Sequence, residues 1–260
     1  SLVREYGYKK DQIEVERSIK FGSNRKAVDV AIWRSGQAHT QEDIHIIVEC
    51  KDPKTKSQGK KDGVDQMHSY VSACMNASYG MWTNGDDLLT FRYVMDKTGK
   101  RIADPVSDLP HEGGEVPDDA PRFDQLRPAA SDSLLYSFRR CHNYIAGNQG
   151  IQKAEAFLEL LKIIFCKIQD ERDSSSPTFY ITPTERQGAT GKKKCRRRIE
   201  KLFESVKQSY ETIFKGDEQI GLTDDVLAYI VSQLQMYSLL ESDVDVKGHA
   251  YETIVGSNLR

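Results

Sequence analysis

The apolar positions fall into two regimes. Before residue 95 they cluster in short β-branched runs separated by polar breaks; after residue 126 they recur every three or four residues. Residues 13–19 alternate apolar and polar up to Gly22. Residues 27–33 are nearly all apolar, with Asp29 inside. Residues 44–51 form a β-branched run that ends in charge. These runs predict three strands, the last two joined by a polar loop as in a long hairpin. Residues 51–62 read as a loop broken by Pro53. Residues 64–75 predict a helix with Val64, Met67, Tyr70, Val71 and Cys74 on one stripe. Residues 79–82 and 88–94 predict two more strands around Thr83-Asn84-Gly85-Asp86, because Asn-Gly is a strong hairpin-turn signal. Leu2, Val3 and Tyr6, stopped by Gly7, predict the last turns of a helix. The order α-β-β-β-α-β-β describes an α/β domain over residues 1–103.

The segment 104–126 changes character. Pro105, Pro110, Pro117 and Pro121, with Gly113, Gly114 and many acids, predict a linker. Residues 127–260 then read as an α-helical region. Phe157, Leu160, Leu161, Ile164 and Ile168 share one helical face, and Ile199, Leu202, Phe203, Val206, Tyr210 and Phe214 share another. Between them lie Ser174–Pro177 and a basic loop. Thr223 is placed to cap a further helix carrying Leu227, Ile230, Val231 and Leu234.

Composition narrows the function classes. The chain of 260 residues is 38% hydrophobic and 29% charged, with a net charge of −2. A free-standing nucleic-acid binder is usually basic, so DNA contact would rest on local clusters or a bound metal. Five isolated cysteines without a CxxC pair fit a reducing, cytoplasmic setting. No run approaches the roughly 18–20 apolar residues of a membrane span, and no signal segment opens the chain. Both ends look like cuts through a longer protein.

Asp29, Glu49 and Lys51 carry the candidate chemistry. Burying an unpaired carboxylate costs several kcal/mol in practice, so Asp29 inside an apolar strand calls for a partner. Glu49 closes the next strand, and Lys51 shares its face because strand side chains repeat with period two. Paired strands place Asp29 beside Glu49. Two carboxylates suit Mg²⁺, or Mn²⁺, through hard oxygen ligands, with the Cys50 carbonyl as a further donor. Such a metal stabilises developing negative charge and lowers the pKa of bound water, while a lysine orients water or stabilises the transition state of phosphodiester hydrolysis. The bland alternative is a salt bridge between Asp29 and Lys51 with Glu49 solvated.

Asp29 followed some twenty residues on by Glu49-Cys50-Lys51 resembles the PD-(D/E)xK nuclease signature, with Val28 in place of the usual proline. Gln66-Met67-His68-Ser69-Tyr70 resembles the Q-x-x-x-Y motif of RecB-like nucleases and of type I restriction enzyme R subunits. Residues 79–85 resemble the strand and T-N-G segment of those R-subunit N-terminal domains. The resemblance spans residues 6–95. It implies a restriction-endonuclease-like mixed sheet flanked by helices, Asp29, Glu49 and Cys50 at a metal, Lys51 as catalytic lysine, and Gln66 and Tyr70 as supporting residues. Some relatives add a glutamate from a first helix; Glu5 is the candidate here.

Residues 156–168 and 245–256 resemble parts of the N-terminal helical region of type I N6-adenine methyltransferase subunits. The family's glycine-rich loop and N-P-P-[YF] motif do not occur, so no S-adenosylmethionine site is expected. The resemblances imply a prokaryotic, cytoplasmic restriction–modification polypeptide acting on double-stranded DNA, with methyltransferase and specificity domains or subunits as partners. A nuclease fold that only grips DNA, or an adaptor that docks those partners, remains open. Lys54, Lys56, Lys60 and Lys61 crowd the loop after Lys51. Lys192, Lys193, Lys194, Arg196, Arg197 and Arg198 form the densest basic run. Both sets are candidate phosphate contacts, or simply solvated loops. Residues 188–192 invite a P-loop reading but have the wrong glycine spacing, and Lys193 stands where Ser or Thr should be, so no ATP site is expected. Trp33 and Trp82 are expected in the core, and His68 as a satisfied side chain.

Overall fold

The computed structural model describes residues 2–59, 62–85, 87–106, 108–116, 118–128 and 131–242. The chain divides into two compact units, residues 1–116 and 117–260.

The first unit is built on a six-stranded mixed sheet in the order β1 (Ile13–Phe21), β2 (Asn24–Trp33), β3 (Ile44–Cys50), β4 (Tyr79–Thr83), β5 (Leu88–Met95) and β6 (Arg101–Val106). Only β3 and β4 are parallel; a parallel pair needs a crossover, and α1 (Val64–Ala73) supplies it. β3 is buried from Ile44 to Glu49, which explains why its sequence does not alternate. On one face, Trp33, Ile47 and Trp82 pack with Met67, Tyr70 and Val71 of α1. On the opposite face, Ile32, Ile46, Val48 and Tyr79 pack with Tyr6, Tyr8, Leu109 and Val116. Helix and sheet approach closely at Gly80, where a Cβ would lie 2.2 Å from the Met67 sulfur.

Two expectations change here. Residues 2–6 form a turn, with Gly7 at φ 76° as the stop, instead of the end of a helix. The expected linker is split: residues 104–106 complete β6, and 108–116 cover the sheet. Tyr6 donates to Asp108, Tyr8 to the Pro110 carbonyl at 3.1 Å, and the Val116 amide to the Tyr79 hydroxyl at 3.2 Å. The prolines and glycines break regular structure there without loosening the packing, because aromatic hydroxyls satisfy the backbone.

The second unit is helical: α2 (Ser131–Gln149), α3 (Lys153–Asp173), α4 (Pro183–Gln187), α5 (Ala189–Ser209) and α6 (Asp224–Leu234). Thr223 caps α6 through the Val226 amide. β7 (Arg127–Pro128) pairs in parallel with β8 (Tyr237–Ser238). One core joins Phe138, Leu160, Ile164, Ile199, Phe203 and Ile230. The basic run lies in the opening turns of α5. Asp170, fully buried, accepts the amides of Thr178 and Phe179, and Glu171 pairs with buried Lys167 and accepts the amides of Leu239 and Leu240. Among the described residues no helix is long and apolar enough to cross a membrane.

Candidate active site

The β2–β3 ladder ends at Val30↔Val48. One step further Asp29 faces Glu49, and side chains replace the backbone ladder. The Asp29 amide donates to Glu49 Oε1 at 3.3 Å, and the Cys50 amide donates to Asp29 Oδ2 at 2.7 Å. On the other side of Asp29, the β1 register brackets Glu16 between Arg17↔Val28 and Val15↔Val30. Glu16 has φ 50°, a left-handed conformation that costs a non-glycine residue roughly 1–2 kcal/mol. Strain and frayed pairing thus flank the acid that the apolar strand singled out.

Lys51 closes the cluster. Its amide donates to the Thr83 carbonyl at 2.7 Å, which ties it to β4. Its Nζ lies 2.7 Å from Glu49 Oε2 and 3.7 Å from Asp29 Oδ2. The Glu49 side chain is 1% exposed and that of Asp29 40%. Glu49 is therefore buried beneath the ion pair, not solvated. Burial raises the Glu49 carboxyl above its ordinary range; the Lys51 hydrogen bond opposes this, and the Asp29 charge adds to it. For Lys51, burial disfavours the charge, but the Glu49 hydrogen bond and the two carboxylates outweigh it and hold the ammonium above the usual lysine range.

Gln66 and Tyr70 stand one turn apart on α1, where i and i+4 side chains meet, and Gln66 Nε2 donates to the Tyr70 hydroxyl at 2.8 Å. Tyr70 is near enough to the cluster that the Glu49 charge, after burial, helps raise its phenol, so it stays protonated. With its oxygen accepting from Gln66, Tyr70 keeps its own proton to donate. Gln66 Oε1 is buried without a partner among the described residues. Both side chains line a cleft of about 280 Å³ with Phe21, Lys26, Asp62, Asp65 and Ser69. Sequence reasoning missed Lys26, because only the β1–β2 pairing brings it to α1; its Nζ lies over the Phe21 ring at 5.9 Å.

Thr83-Asn84-Gly85 has a physical reading. Thr83 Oγ1 donates to the Asp87 carbonyl at 2.8 Å, and Gly85 supplies φ 90°. Asn84 accepts the Asp87 amide at 2.6 Å and donates to the Thr55 carbonyl at 2.8 Å, anchoring the loop that follows Lys51. Lys54 and Lys56 are exposed on that loop; Lys60 and Lys61 lie outside the described residues.

Among the described residues no group of three His, Cys, Asp or Glu side chains is arranged to hold a metal, so Glu5 does not join Asp29 and Glu49 in such a group. The available donors are two carboxylates and, at their junction, the Cys50 backbone. Trp33 and Trp82 are buried, the Trp82 indole donating to the Asp62 carbonyl. His68 pairs with the Tyr93 hydroxyl.

Residues 1–110 match the family described as type I restriction enzyme R protein N terminus. The match extends past the motifs to include β6. No curated protein matches the chain.

Proposed function

We propose that the first unit is a Mg²⁺-dependent endonuclease that hydrolyses DNA phosphodiester bonds within a restriction–modification enzyme. The observation that carries this reading is the convergence of Asp29, Glu49 and Lys51 at one frayed strand end, within 3.7 Å of the lysine nitrogen. The similarity of residues 1–110 to restriction enzyme R protein N termini supports it.

The donor chemistry fits a hard divalent cation. Asp29 and Glu49 offer carboxylate oxygens, and the Cys50 carbonyl would complete the protein's share. Burial raises the Glu49 carboxyl and the facing Asp29 charge adds to the rise, a repulsion that positive charge relieves. Lys51 supplies that charge here. When bound, Mg²⁺ or Mn²⁺ supplies Lewis acidity toward the phosphate and acidifies neighbouring water. Lys51, held protonated, acts through its charge: freed from the carboxylates, it orients the attacking water or stabilises the charge that develops on phosphate. Tyr70, positioned by Gln66, donates its hydroxyl proton toward the same anion.

The helical unit is read as a connector like the N-terminal part of N6-adenine methyltransferase subunits, serving methyltransferase and specificity partners. Of the two segments behind this reading, residues 156–168 lie within α3, and residues 245–256 lie outside the described residues. One feature favours a module that grips DNA without cutting it: the Lys51 ammonium seated on both carboxylates. Plasmid nicking separates the two. The chain should nick supercoiled DNA with Mg²⁺ or Mn²⁺ and not in a chelator; Asp29→Ala should abolish this, and Lys51→Ala should slow it on the order of 100-fold. Nicking that survives both substitutions would overturn the catalytic assignment.

A further inference from the structure

In the basic run of α5, Lys192, Arg196 and Arg198 are paired with acids; among the described residues Lys193 and Arg197 have no such partner, and exposed Lys194 lies where its charge acts on Glu185. Lys192 pairs with Asp225, and Arg196 with Asp224 and Glu200. Arg198 holds Glu185 at 2.6 Å and stacks over Tyr180 at 4.0 Å. These three side chains fasten α5 to α4 and to the start of α6. Their charges are engaged in ion pairs within the unit.

Lys193, Arg197 and Lys201 are different. All three are exposed, and none has an ion-pair partner among the described residues. Their spacing of four residues puts them in one row, successive members about 6 Å apart along the axis. The acids that approach α5 are engaged elsewhere: Glu185, Asp224, Asp225 and Glu200 as above, and Glu204 with Lys207 at 2.8 Å. The row is therefore not neutralised internally. Lys193 also sits in the opening turns of α5, where positive charge is opposed by the helix dipole.

We propose that this row binds the phosphate backbone of duplex DNA, as a second contact surface independent of the cleavage site. Three long cations in line match successive phosphates of one strand. The exposed residues of α5 include no aromatic side chain, so the row lacks the stacking platform that single strands use. Such contact is independent of sequence and is read in its salt dependence. Lys201 belongs to this surface although the contiguous basic run ends at Arg198.

The test is fluorescence anisotropy of a duplex with the whole chain, in chelator so that no cleavage occurs. Replacing Lys193, Arg197 and Lys201 by Gln removes three phosphate contacts. The slope of log K against log salt should become shallower by about 2.7, since each contact contributes about 0.9. The melting temperature should not fall, because the three side chains are solvent-facing. The charge-retaining set Lys193→Arg, Arg197→Lys and Lys201→Arg should keep the parent slope. A Gln variant with the parent slope would overturn the proposal. So would loss of binding shared by the charge-retaining set, or a parent that binds polyglutamate but not the duplex.

Discussion

Replacing Lys51 by Met removes the cation that contacts both Asp29 and Glu49 while keeping the aliphatic stem. The Glu49 side chain, 1% exposed, keeps the Asp29 amide but loses its cation. Breaking a fully buried pair costs about 3–5 kcal/mol. Lys51 is 17% and Asp29 40% exposed, so solvent screening reduces the expected loss to about 1–3 kcal/mol. At roughly 4 °C per kcal/mol for a unit of this size, the melting temperature should fall by about 4–12 °C. The two bare carboxylates then form a stronger cation site than the parent's, where Lys51 competes. Mg²⁺ should therefore raise the melting temperature of Lys51→Met by more than it raises that of the parent. At a hundredfold excess over Kd such binding stabilises by about 2.7 kcal/mol, enough to recover most of the loss. Thermal melts of both proteins with and without Mg²⁺ make the comparison. An unchanged melting temperature in chelator, or equal Mg²⁺ increments, would refute the reasoning.

Gly80→Ala inserts a methyl group against the Met67 sulfur and Val71. It should destabilise by about 1–3 kcal/mol, and by lifting α1 it should reduce cleavage beyond what stability explains, as single-turnover rates at low temperature would show. Asn84→Ala removes the bond to Thr55 and the acceptor for Asp87. It should cost about 1–3 kcal/mol and speed hydrogen exchange in the loop after Lys51. The Glu49 carboxyl titrates above its ordinary range, with burial the main cause and Asp29 contributing. The native state thus binds that proton more tightly than the unfolded chain. Its contribution to stability is fully present below the unfolded value and is lost as pH rises through the folded one. Carbon-13 NMR of the Glu49 carboxyl should show the midpoint fall in Asp29→Asn; a midpoint that stays or rises would contradict the assigned charge coupling.

Much of the first unit was legible in the sequence because its signals are local. β-branched runs located the strands, Asn84-Gly85 located the turn, and the acid inside an apolar run located Asp29. β6 was missed because Pro105 and a string of charges mask an edge strand that has one neighbour to satisfy. Residues 108–116 were missed because their packing depends on Tyr6, Tyr8 and Tyr79, far away in sequence. The same limit applied at the site. The order of Asp29, Glu49 and Lys51 could be read directly, but Lys26 and Phe21 reach the cleft only through β1–β2 pairing. In α5 the basic run was plain, yet its division into fastened and free cations depended on Glu185, Asp224 and Asp225 on other elements.

The central claim is that Asp29 and Glu49 hold a catalytic cation while Lys51 contributes charge to the reaction. Mn²⁺ affinity and DNA cleavage measured side by side on three proteins test it most directly. Lys51→Ala should bind Mn²⁺ at least as tightly as the parent yet cleave on the order of 100-fold more slowly, the usual scale for losing one charge-stabilising group. Asp29→Ala should lose both properties. Parental cleavage by Lys51→Ala, or undiminished Mn²⁺ binding by Asp29→Ala, would contradict the account.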